Sequence, residues 1–177
     1  MLGRYDNFPT IIHGIARLLH QIPLPTLQQL LIASLHEING RKEPYEISVA
    51  DHSGTYQGEL SLEVGVAEGV YFNYLDDDEL NRLYEALSSR GLFEILDFLI
   101  IVGYHYSREG KKIALKFDRH ILRFLFHENT IELNLFHERG IRRMPLDDLL
   151  NYVIKNLSQK IVKNALPPLK VEHFRTL

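Results

Sequence analysis

ILRFLFHENTIELNLFH, residues 121–137, decides the fold. Leu122, Phe124 and Phe126 lie two apart on one side of Glu128-Asn129, and Ile131, Leu133 and Leu135 do the same on the other. A period of two marks strands with one buried face, and a two-residue link between such runs closes a β-hairpin. With Glu128-Asn129 as the turn, opposite residues have numbers that add to 257: Phe126 faces Ile131, Phe124 faces Leu133 and Leu122 faces Leu135. A slip of one residue would expose all six. The same register sets Arg123 against Asn134 on the other face, and His120 against His137.

The alternation extends outward from this hairpin. Residues 111–117 read as a separate strand with Ile113, Leu115 and Phe117 inward and Lys112 and Lys116 outward. Residues 93–106 are ambiguous, since 93–101 fits a helix as well as a strand and only the following residues are clearly extended. Nearer the start, 45–51 is strand-like, His52-Ser53-Gly54 turns, and Leu60, Leu62, Val64 and Val66 alternate with polar residues. Glu68-Gly69 turns again into a strand at 70–75. Two helices interleave with these strands. One opens on Asp76-Asp77-Asp78-Glu79, acids suited to a helix N-terminus, and carries Leu80, Leu83, Tyr84 and Leu87 at helical spacing. The other follows Met144-Pro145 with Leu146, Leu149, Leu150, Val153, Ile154 and Leu157 on one side.

The first forty residues read as a helical hairpin: Ile11, Ile12, Ile15, Ala16, Leu18 and Leu19 on a first helix, a break at Ile22-Pro23-Leu24-Pro25, then Leu27, Leu30, Leu31, Leu35 and Ile38 on a second. Thr26 with Gln29 has the spacing of a capping box, and Asn39-Gly40 supplies the stop. The expected fold class is therefore α+β. A helical hairpin (1–40) precedes an antiparallel sheet domain (41–165) made of two similar strand-meander and helix halves, 44–90 and 93–164, with the helices on one face. Residues 166–177, containing Pro167-Pro168, form an extended tail.

The composition narrows the function classes. The chain has 177 residues, 45% of them hydrophobic and 24% charged, which is ordinary for a globular domain that buries most of its apolar surface. With no cysteine it has no disulfide framework, no thiolate zinc site and no cysteine nucleophile, and it suits a reducing, cytoplasmic setting. Its most apolar stretch, 92–103, is interrupted by Glu94 and Asp97 and is too short to span a bilayer, so no membrane partner is expected. The net charge of −3 conceals a division: residues 1–106 carry 6 Lys and Arg against 15 Asp and Glu, and residues 107–177 carry 14 against 8. Such a split implies an acidic side and a basic side that complement each other within the domain or between copies of it, or a basic half that meets an acidic partner.

Catalytic signatures are missing. There is no G-x-S-x-G elbow, phosphate loop, G-x-G-x-x-G or H-E-x-x-H. Asp51-His52-Ser53 juxtaposes triad residues, but in one expected turn, whereas triads are assembled from separate segments. Tyr104-His105-Tyr106 with Glu109 could line a pocket, although alternation puts His105 on the face opposite the two tyrosines. His120 and His137, with Asp118 or Glu138 near, could share a metal, but two ligands fall short of the three or four a zinc site needs, and as a pair at the hairpin's open end they read as solvated. No cofactor is indicated. The leading expectation is a non-catalytic interaction or assembly module, self-associating or part of a larger complex. The alternative is a nucleic-acid or polyanion-binding protein using Lys112, Lys116, Arg119, Arg123, Arg139, Arg142 and Arg143, the last three in the loop HERGIRR before a helix N-terminus, where phosphate is readily held.

Overall fold

A computed structural model describes residues 1–49 and 54–177; the Asp51-His52-Ser53 turn lies outside the described residues. The elements run β1 (Gly14–Leu19), α1 (Leu24–Ile38), β2 (Lys42–Ser48), β3 (Thr55–Glu68), β4 (Tyr71–Tyr74), α2 (Asp77–Arg90), β5 (Ile95–Arg108), β6 (Lys111–Phe126), β7 (Thr130–Arg139), α3 (Leu146–Lys163) and β8 (Lys170–Thr176). The fold is α+β: eight antiparallel strands form one sheet in the order β2-β3-β5-β6-β7-β1-β8, with β4 paired to β3.

The hairpin that set the reading has the expected register. Phe126 pairs with Ile131, Phe124 with Leu133, Leu122 with Leu135 and His120 with His137, and the amide of His127 closes the turn on the carbonyl of Thr130 at 2.9 Å. Around it lies the core: Leu122, Phe124, Ile131, Leu133 and Leu135 are fully buried with Leu96, Phe98 and Ile100 of β5. The helices cover this face. Helix α1 packs on both α2 and α3, and α3 buries Leu146, Leu149, Leu150, Val153, Ile154, Leu157 and Ile161, the stripe its spacing predicts plus one further turn. Each such leucine removed from water contributes roughly 1.5–3 kcal/mol. Gln28, buried in α1, both donates to the carbonyl of Phe93 (2.7 Å) and accepts from its amide (3.0 Å), fixing the helix to the start of β5.

Three expectations are corrected, and the ambiguity at 93–106 is resolved. The first segment of the supposed helical hairpin is a strand: β1 sits between β7 and β8, with Gly14, Ala16 and Leu18 turned inward. Its apolar residues fit a period of two as well as one of 3.6, and the two flanking strands satisfy its backbone on both sides. Helix α1 begins before Thr26, capped at Pro23 with no side-chain bond, so the Thr26–Gln29 box does not form. Residues 93–106 hold no helix, and β5 extends through them to Arg108. The strands expected at 111–117 and 121–127 are one 16-residue strand, β6, whose pairing with β5 shifts between Val102 and Tyr104. That bulge opposes two residues to one, and it leaves Phe117 at 43% exposure instead of inside.

The elements after α1 repeat the order of three strands and a helix, but their pairing differs. In the second set β5, β6 and β7 form a plain meander. In the first, β4 takes the same edge of β3 as β2. The side chain of Asn39 bridges the gap between them, accepting from the amide of Val64 (2.8 Å) and donating to the carbonyl of Leu75 (2.8 Å). Where β3 and β5 diverge, the N-terminal segment fills in: the amide of Gly3 donates to Ala67 and the amide of Asp97 donates to Gly3, both at 2.7 Å. The tail at 166–177 is extended, and β8 within it pairs along β1.

Candidate functional site

The β6 bulge changes which residues of the strand face inward. Before it Ile113 and Leu115 lie opposite Tyr106 and Tyr104; after it Asp118 and His120 lie opposite Val102 and Ile100, on the face that carries Leu122 and Phe124. A carboxylate is thereby carried into the core, 1% exposed, and an unpaired buried charge is costly. Asp118 is compensated by three donors. Its Oδ1 accepts from the amide of Arg142, and its Oδ2 from the amide of Arg143 (both 2.8 Å) and from the hydroxyl of Tyr104 (2.7 Å). The Tyr104 hydroxyl in turn accepts from the amide of Met144 at 2.8 Å. Burial, followed by the bond to Asp118, raises the Tyr104 pKa well above the usual phenol range, so the ring stays neutral and donates.

The imidazoles continue the network. His120 is fully buried and His137 nearly so, with facing Nδ1 atoms 3.3 Å apart. His137 Nε2 lies 2.8 Å from the carbonyl of Gly140, which can only accept, so that nitrogen carries the proton. The tautomers follow from this assignment: His137 Nδ1 accepts, His120 Nδ1 donates to it, and His120 Nε2 is left as a bare buried lone pair with no partner among the described residues. Burial first, and then the neighbouring His137, depress the His120 pKa to about 4. The amide of His137 donates to His13 Nδ1 at 2.9 Å, and the His13 ring stacks on Phe136 at 5.0 Å. Burial, Arg142 and His137 lower the His13 pKa as well. These histidines are not the solvated pair expected at a hairpin's open end, because the loop after β7 folds over them.

That loop is held in an unusual backbone. Gly140 has φ of 105°, and a Cβ there would come within 2.1 Å of Asp118 Oδ1, so only glycine fits. Arg142 has φ of 56°, uncommon for a residue with a side chain. The amides of Arg142, Arg143 and Met144, in the loop leading to α3, are held by Asp118 and Tyr104. Outward the loop presents Ile141, 67% exposed, beside Phe117, whose carbonyl borders Gly140.

The basic residues divide. Arg139, Arg142 and Arg143 lie in or beside the loop, and Arg119 pairs with Arg139 across the strands while its Nε donates to Glu138 at 2.6 Å. Arg142 also reaches the carbonyl of Leu177 (3.3 Å), and Arg143 reaches that of Ser48 (2.8 Å). Lys116 is exposed beside Phe117. Lys112 lies farther up β6, 3.8 Å from Glu59. Arg123 sits apart, its guanidinium making two 2.8 Å bonds to the buried carboxylate of Asp97 and stacking 4.1 Å from the Phe8 ring centre. Lys112–Glu59, Arg123–Asp97 and Lys160–Glu37 each join the basic part of the chain to the acidic part, so some of the division neutralises itself internally.

His105 lines a depression of about 440 Å³ with Gln57, Gly58, Glu59, Tyr106, Ser107 and Lys112, and its buried Nδ1 has no partner among the described residues. A groove of about 340 Å³ runs under α3, floored by Tyr45, Leu60, Leu62 and Met144. It is bridged by Arg41, whose Nη1 donates to the Tyr152 hydroxyl, which donates to Glu43. Among the described residues no three His, Asp or Glu side chains are grouped to hold a metal ion, and no helix is long and apolar enough to cross a membrane. The sequence reading singled out His120, His137 and the loop arginines, and Tyr104 only as the lining of a pocket; it did not single out His13. The signal for Asp118 was present: the odd-numbered apolar set 113, 115, 117 and the even-numbered set 122, 124, 126 cannot share a face of one strand without a bulge.

Compared with known proteins, the chain matches no family model, no curated protein and no solved structure.

Proposed function

We propose that this chain is a non-catalytic interaction module that docks a protein partner through the corner formed by Phe117, Ile141 and the loop from Arg139 to Arg143. The observation that carries this reading is the investment in the loop. A buried carboxylate, a buried tyrosine and two buried imidazoles hold in place a backbone that is strained at Arg142 and open only to glycine at position 140. Backbone held in sparsely populated regions costs of order 1–3 kcal/mol and concentrates where geometry is used. What the loop gains is a fixed outward Ile141 next to an outward Phe117, with Lys116, Arg139 and Arg142 around them. A fixed apolar anchor ringed by charge is the pattern of an interface hot spot.

The chemistry of the cluster supports a non-catalytic role. Tyr104, Asp118 and both nitrogens of His137 spend their hydrogen-bonding capacity on one another and on the loop, and the lone pair left over in this cluster, on His120 Nε2, is fully buried. Polyanion binding is the weaker reading, because the Arg142 and Arg143 amides of the basic loop and the guanidinium of Arg123 are already engaged.

A photo-crosslinking residue placed at Ile141 tests the reading, with the same residue at Val162, 61% exposed on α3, as the control. Discrete crosslinked species from position 141 but not from 162 are expected in the source cells. Equal yields at the two sites, or none at 141, would overturn it. Fluorescence anisotropy with labelled oligonucleotides at roughly 50 and 200 mM salt addresses the polyanion reading, for which binding must weaken steeply across that range.

A further inference from the structure

The molecule has a second exposed apolar corner, of opposite charge, diagonally across the sheet. Val70, Tyr71 and Tyr74, on or beside β4, are 53%, 73% and 56% exposed. Strand β4 lies on the outer edge of β3, at the end of the sheet where β5 begins. The loop from Arg139 to Arg143 lies beyond the end of β7, which pairs with β6 on the other side of β5 and at the far end of the strand direction. Exposed Asp6, Asp76, Asp77 and Asp78 lie about the first corner, Asp77 also bonding His36; of its arginines Arg82 is paired with Glu68, and exposed Arg4, whose carbonyl accepts from the amide of Gly69, leaves the acids in excess. Lys116, Arg139 and Arg142 surround the second, where Glu138 is spent on Arg119.

We infer that the partner of the basic corner is a second copy of this chain, which offers its Tyr71–Tyr74 corner head to tail. This rests on the reading of the Phe117–Ile141 corner as a docking surface and names what docks there. Three observations favour a copy over an unrelated protein. The two corners carry opposite charge; each has large apolar side chains in water, with Tyr71 and Tyr74 flanking the β4 edge on its two faces; and each lies on a fixed part of the sheet, one hydrogen-bonded to β3 and the other tied to Asp118. Apolar patches ringed by complementary charge give both adhesion and a defined orientation. Because the two patches differ, the contact is heterologous, and repeated copies propagate a chain or close a ring rather than stop at a two-fold dimer.

Sedimentation velocity on three proteins tests this: the wild type, Lys116→Glu/Arg139→Glu, and Asp77→Lys/Asp78→Lys, each with its circular-dichroism melt. All four positions are exposed; Asp77 also accepts from His36 Nε2 at 2.9 Å at the start of α2, so the melt separates a loss of fold from a loss of association. The wild type should form species larger than a dimer as concentration rises, weakened by salt, and each variant alone should associate roughly ten-fold or more weakly. Mixing the two variants should restore association as alternating copies, since each intact corner regains its partner and the two reversed corners are again opposite in charge. A wild type that stays monomeric to the highest soluble concentration overturns the inference, as does a mixture that behaves like its separate components. Position-141 crosslinks to a different protein from a monomeric wild type would leave the docking corner standing while the self-partner falls.

Discussion

Among the described residues two aspartates lie in the interior, and they are compensated by different means. Asp97, fully buried, is matched by a formal charge: Arg123 forks onto both of its oxygens, and the amide of Tyr5 adds a third bond at 2.7 Å. Asp118, equally buried, is matched by dipoles, two backbone amides and a phenol, with the nearest histidine nitrogen 3.9 Å away. Both fasten an irregular segment to a strand, the N-terminal segment in one case and the loop before α3 in the other. The difference lies in what each tether withstands. A charge pair survives small displacements because Coulomb attraction falls slowly with distance, whereas three short bonds to fixed amides demand one backbone geometry.

That contrast is broken most forcefully at Asp118. Asp118→Ala leaves the Arg142 and Arg143 amides and the Tyr104 hydroxyl without acceptors, and is expected to cost about 4 kcal/mol in chemical denaturation. Asp118→Asn, which keeps one acceptor oxygen, should recover about half of this loss. Arg123→Ala should cost about 3 kcal/mol, because it strands the Asp97 charge. Here the double variant Asp97→Asn/Arg123→Ala should be more stable than Arg123→Ala alone, an outcome a merely packing role for Arg123 would not give.

Acid gives a gentler probe. The His120 pKa is depressed to about 4, below its value in the unfolded chain, so the unfolded state binds the extra proton as pH falls through 6.5 toward 4. Stability is therefore full above pH 6.5 and is lost across that window, by about 2 kcal/mol on reaching pH 5. Denaturation midpoints at pH 7 and pH 5 check this, and His120→Gln should flatten the slope. A wild type equally stable at both pH values would show that the imidazole pair is not buried as described. The smallest expected effect belongs to Thr26→Ala, which should change stability by less than about 0.5 kcal/mol, since Thr26 caps nothing. A loss nearer 1 kcal/mol would mean that the capping box forms after all.

The residues that were legible in the sequence are those whose structure depends on near neighbours. The 121–137 hairpin, the acid-capped start of α2 and the apolar stripe of α3 each follow from spacing within one or two elements, and each register or face appears as read. What escaped reading depends on distant partners. Ile15, Ala16, Leu18 and Leu19 become strand because β7 and β8, more than a hundred residues later, supply hydrogen bonds on both sides. His120 was placed opposite His137 from the turn alone. Its burial depends on Gly140 folding the loop back over the pair, which no local pattern announces. The loop arginines were seen as cations, but the role of their amides was hidden because Asp118 reaches the interior only through the bulge.

The position of β1 bears on how the molecule is assembled. Residues 14–19 form an interior strand, yet one neighbour comes from residues 130–135 and the other from 170–176. Neither border exists locally, so both contacts close loops of more than a hundred residues, and contacts of such high order slow folding. On a ribosome synthesising from the N-terminus, this apolar segment must wait unpaired while α1, the β2–β4 region and most of the second meander emerge. In that interval it is an unsatisfied strand seeking an edge, the species most exposed to mispairing and to capture by chaperones.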